Sequence, residues 1–139
     1  MKRDWDLIRE LMIGVEEEKN FLADVQEIPK WGDQTEQDYL QQLNAVRAAN
    51  ARIFGHLEML VDNGYLDGFE VIRTNDGGFH HGLSDPRLTM AGHDLLDTMR
   101  SSVLWESIKT TAKKKGIELT FDAIKAIGVL AITTVLGGA

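Results

Sequence analysis

The chain has 139 residues, 43% of them hydrophobic and 27% charged, with two prolines and no cysteine. That composition makes one folded domain and excludes disulfide scaffolds, thiolate metal sites, thiol nucleophiles and the disordered or collagen-like classes. A net charge of −7 weighs against a protein that coats nucleic acid or anionic membrane with its whole surface.

Asp4 is suited to cap a first helix, on which Trp5, Ile8, Leu11, Met12 and Val15 line one face at three- and four-residue steps. The acids Asp4 and Asp6 sit where a signal peptide needs its apolar run, so a cytoplasmic protein is expected. Residues 21–28 alternate in part and predict a short strand, broken by Pro29 and Trp31-Gly32-Asp33. Thr35, with Asp38 three residues on, opens a second helical pattern.

In that pattern Tyr39, Leu43, Val46, Asn50, Ile53, Leu57 and Leu60 alternate by four and three. One long helix with Asn50 in its seam explains the spacing. So does a turn at Ala48-Ala49-Asn50, with Asn50 capping a separate helix over 51–63. The residues after Asn63 favour the turn. Gly64 suits the left-handed position that ends a helix, Phe69–Thr74 reads as a strand, and Asn75-Asp76-Gly77-Gly78 reads as its turn. A returning strand takes in Leu83 or Arg87-Leu88. Thr89 then caps a helix through Arg100 that buries Leu95, Leu96 and Met99, and Ser101 or Ser102 restarts it toward Lys115, where Gly116 stops it.

Thr120 caps the last element, over 120–136, and no charged residue occurs from Ala126 to Ala139. Its uninterrupted apolar stretch falls short of the ~20 residues that cross a bilayer, so it is expected to pack on the core or on a second subunit. Charge is uneven: residues 1–34 hold 5 basic and 9 acidic side chains, whereas 101–139 hold 5 and 3.

Helix, strand, helix, turn, helix, strand, Gly-rich turn, strand, helix is the order of a winged helix-turn-helix module. The stretches Met1–Arg9 and Arg87-Leu88-Thr89-Met90-Ala91-Gly92-His93-Asp94-Leu95-Leu96-Asp97, with Trp105 and Lys109, resemble a family of small bacterial and prophage-encoded proteins, a domain of unknown function. The resemblance spans Met1 to about Lys115. It implies a winged-helix-like fold and a mobile-element context, and it carries over no catalytic residue. The expected fold is therefore mostly α with a small β wing: a winged helix-turn-helix-like domain over 1–100 and a C-terminal helical extension over 101–139.

Few residues point to chemistry. Adjacent His80 and His81 on an extended segment face opposite ways and are poorly placed to share a metal ion. Gly77-Gly78 has no lysine or helix start after it and fails as a phosphate loop. No cofactor, metal or catalytic role is expected. For DNA, Asn50 and Arg52 at the head of a recognition helix suit base contacts, with His56 on its open side. Arg47, Arg73, His80 and Arg87 would add phosphate contacts. The leading expectation is thus a DNA-binding regulator. The alternative is a protein-interaction module that binds a host or phage protein. A homodimer through the C-terminal helix is expected in either case, and removal of residues 121–139 is expected to leave residues 1–115 folded.

Overall fold

The computed structural model describes residues 2–136. Its order is α1 (Trp5–Glu16), α2 (Glu36–Asp62), β1 (Leu66–Arg73), β2 (Phe79–Leu88), α3 (Met90–Met99), α4 (Ser102–Lys115) and α5 (Phe121–Leu136). The fold is mostly α with a small two-stranded antiparallel hairpin, as the sequence predicts. Five of the expected caps form. Side-chain oxygens of Asp4, Thr35, Thr89, Ser101 and Thr120 accept the N–H groups of Leu7, Asp38, Gly92, Leu104 and Ala123, and Gly116 ends α4 in the left-handed region.

Two expected elements are absent. The turn at Ala48–Asn50 does not form, because α2 runs unbroken for 27 residues and Asn50 lies inside it rather than at a cap. Residues 21–28 make a turn and an irregular segment, not a strand. One contact joins the two segments. The Asn50 Oδ1 accepts from the Gln26 N–H and its Nδ2 donates to the Gln26 carbonyl, each at 2.8 Å. The side-chain amide thus satisfies the backbone groups that a neighbouring strand would otherwise take.

The hairpin pairs Phe69 with Leu83, Val71 with His81 and Arg73 with Phe79, and a bulge interrupts the register between Asp67 and Phe69. Gly68 supplies the bulge's positive φ of 74° and packs onto the carbonyls of Ser84 and Asp85, where a Cβ has no room. The exit of α2 and the exit of the hairpin meet at Thr89. Its N–H donates to the Tyr65 carbonyl at 3.1 Å and its hydroxyl to the Gly64 carbonyl at 2.5 Å.

One core joins the helices to the hairpin base. Ile8 and Met12 of α1, Leu57 and Leu60 of α2, Leu95, Leu96 and Met99 of α3, Trp105 and Ile108 of α4 and Ile124 of α5 are all fully buried in it. The cluster draws on residues on both sides of position 100. Trp5 meets Phe121 edge-on at 4.8 Å and donates its indole N–H to the Leu119 carbonyl at 3.1 Å, which pins the start of α5 to α1. Arg9 donates to the carbonyls of Met99 and Arg100 at 2.7 Å each, so the orphan carbonyls at the end of α3 find donors. No helix among the described residues is long and apolar enough to cross a membrane.

Candidate functional site

The residues expected to read DNA do not form one open face. His56 is fully buried, not on the open side of its helix. Its Nε2 accepts the Asp4 N–H at 2.8 Å and its Nδ1 lies 2.6 Å from the Arg52 carbonyl, a pairing that requires the neutral ring with the proton on Nδ1. The spacing Ile53, His56, Leu57, Leu60 is itself an inward stripe, and it was the available signal for that burial. Asn50 is committed to Gln26.

The arginines are engaged by the chain's own acids. Arg52 pairs with Asp4, Arg73 with Glu58 at 2.5 Å, and Arg87 with Asp67 at 3.0 Å. Arg73 also lies over the Phe79 ring, 5.2 Å from its centroid. These guanidinium groups stay about half exposed but already have carboxylate partners. Arg47 differs: no ion pair to it occurs among the described residues, and its Nε is buried without a hydrogen-bond acceptor.

Arg47 lines the best-defined concavity, a cleft of about 390 Å³. Its floor is one face of α2, formed by Val46, Arg47, Asn50 and Phe54. One wall is the irregular segment 25–28 and the other is the hairpin turn and start of β2, residues 76–81. Phe54 stacks on Phe79 with ring centroids 5.1 Å apart, and His81 packs between Phe54 and Phe69 at 5.6 and 5.8 Å. Thr74 and the Gly78 N–H donate to the Asp76 carboxylate, and the nearby Arg47 charge adds to them, holding it below the ordinary carboxylate range. The cleft brings together Arg47, Asn50 and His80 of the predicted set and leaves Arg52, His56, Arg73 and Arg87 outside it. Phe54, Phe79, Val25 and Ile28 were missed, although the 46, 50, 54 spacing on one helix already places Phe54 beside the two seam residues.

No group of three or more His, Asp or Glu side chains that could hold a metal occurs among the described residues, the cleft included. The cleft offers a mainly apolar, aromatic-walled surface with one cation on its floor.

The stretch from Arg87 to Asp97 has a structural reason. Leu88 is buried, Thr89 ties the two exits together, and Gly92 lies against the Tyr65 carbonyl where any Cβ would collide. His93 points into solvent. Among known proteins, one of Haemophilus influenzae named "Uncharacterized protein" is 28% identical over 136 residues, which cover 98% of this chain and 99% of the relative. No solved structure matches. The family model described as "Hypothetical protein (DUF2513)" matches residues 2–118, which takes in both the capped start of α1 and the locked Arg87–Asp97 stretch, and the chain belongs to that family.

Proposed function

We propose that this protein is a non-catalytic interaction module whose ligand is another protein, of the host or of a phage, rather than DNA. The observation that carries this reading is the internal pairing of Arg52, Arg73 and Arg87 with Asp4, Glu58 and Asp67. Phosphate contacts would have to displace those carboxylates, and a chain of net charge −7 adds repulsion to the exchange. The continuous α2 also lacks the turn that presents a recognition helix end-on to the major groove. The open, mostly apolar cleft at Arg47 supports a protein ligand instead.

Self-association belongs to the same reading. Val129 is 65% exposed on α5, a helix with no charged residue beyond Lys125, and it supports a homodimer through that outer face.

The test sets the two ligand classes side by side. Affinity capture from nuclease-treated host lysate is expected to recover one stoichiometric partner, and DNA from upstream of the protein's own gene is expected to show no mobility shift at low salt. A salt-sensitive shift on a defined site that Arg52→Ala abolishes would overturn the proposal in favour of DNA binding.

A further inference from the structure

We propose that the cleft at Arg47 holds an extended peptide segment of the partner, laid along the outer edge of β2 with an acidic side chain on the Arg47 guanidinium. This inference rests on the protein-interaction reading and specifies its ligand.

The cleft has the form of a strand-receiving groove. The sheet has two strands, so β2 pairs with β1 on one side and with no strand on the other. Phe79, His80 and His81 of β2 line the cleft and no residue of β1 does, which puts the opening on the unpaired side of β2. Across the gap, segment 25–28 makes no backbone hydrogen bond to β2, because Gln26 is satisfied by Asn50 and the Val25 N–H by the Leu22 carbonyl. Asn50 therefore holds the far wall back and leaves the edge of β2 open. An added strand takes its affinity from main-chain hydrogen bonds to such an edge, and its selectivity from the pockets beneath alternate side chains.

The floor names the side chain. Val46 and Phe54 offer apolar contact, and between them Arg47 carries a buried Nε that meets no acceptor. An orphaned guanidinium donor is a cost in the free chain that a ligand carboxylate removes through a charge-assisted hydrogen bond. The charges around it select a single carboxylate over a polyanion. Asp76 and Glu27 also line the cleft, and because their repulsion grows with the charge of the ligand they disfavour a run of phosphates more than a single acid in contact with Arg47. Ile28, 58% exposed at the mouth, extends the apolar surface for residues flanking that acid.

A library of random nine-residue peptides displayed on phage and panned on the full chain supplies the probe, with enriched sequences remade as fluorescein-labelled peptides for polarisation titrations. The enriched peptides are expected to share one Asp or Glu between β-branched or aromatic residues at alternate positions. Changing that acid to its amide, or Arg47→Met in the protein, is expected to weaken binding about 10-fold or more, the loss of one charge-assisted contact. Arg47→Met should leave the thermal midpoint unchanged or raise it, since it removes an unsatisfied donor, and Lys114→Ala, at an exposed position of α4, should bind like the wild type. Absence of enrichment, enriched peptides without an acid, binding that survives Arg47→Met, or a midpoint that falls together with binding would each overturn the assignment. Capture of one lysate partner equally by wild type and Arg47→Met would keep the protein-interaction reading and overturn this site.

Discussion

Asp6 shows how polar residues join α1 to α4. The Trp105 indole N–H donates to its Oδ1 at 2.7 Å, and Lys109 donates to the same oxygen at 3.0 Å. With the Trp105 bond as the largest cause, the carboxyl is held below its ordinary value of 3.8. Asp4 is lowered too, first by the Leu7 N–H and then by Arg52. A carboxyl depressed in the folded state binds its proton more readily once unfolded. Its contribution is therefore complete above the ordinary value and is lost as pH falls toward the folded one. Asp6→Asn should accordingly reduce stability at pH 7, and the gap from wild type should narrow as pH falls below about 4, a window set by this linkage. Urea midpoints at pH 7, 4 and 3 check it, and a constant gap would refute it. The partners of Asp6 are 99 and 103 residues away, which no local pattern reports. His56 is different: its place in the stripe with Ile53, Leu57 and Leu60 made its burial readable, but its polarity drew the reading outward.

Among the elements, α3 was the most legible and α2 the least. Thr89 as cap, Leu95, Leu96 and Met99 as core and a restart at Ser101 or Ser102 all follow from local chemistry, and each is found in place, with Ser101 as the second cap. Gly92 needed the tertiary structure, because its reason is the Tyr65 carbonyl at the start of the hairpin. Gly92→Ala should destabilise the protein by about 1–3 kcal/mol, as overpacking against rigid backbone does. His93→Ala, one residue on but exposed, should stay within about 0.5 kcal/mol. Chemical denaturation of both variants tests the pair, and equal losses would refute the collision. For α2, a heptad-like pattern with one polar residue fits a continuous helix and a capped break equally well. What decides is where the Asn50 amide finds its partners, and those lie 24 residues upstream.

Across the whole molecule, α5 takes the first of its two expected places and packs on the core. Ile124 is fully buried and Ile127 nearly so, Phe121 packs on Trp5 and Tyr65, and Gly128 lies tightly against Thr98. Removing residues 121–139 should therefore destabilise or unfold residues 1–115 rather than only lower the oligomeric state. Circular dichroism melts of the truncated chain check this, and an unchanged cooperative transition would refute it. Assembly is better probed by Val129→Glu, which adds a charge to an exposed position and spares the core. Light scattering should show its mass halved relative to the wild type if α5 forms the dimer, and two equal masses would remove α5 from assembly.

The sequence by itself determined the helical class, the hairpin, the capping residues and the inward faces of α1, α3 and α4. Those depend on backbone propensity, side-chain periodicity and hydrogen bonds between near neighbours, all of which are written locally. Only the tertiary structure decided that α2 is continuous, that the His56 ring bonds the Asp4 N–H and that Arg52, Arg73 and Arg87 are held by acids while Arg47 is left in a cleft. Those facts turn on which distant group supplies a hydrogen-bond or ion-pair partner, and a polar side chain carries no mark of whether that partner is solvent, a ligand or its own chain.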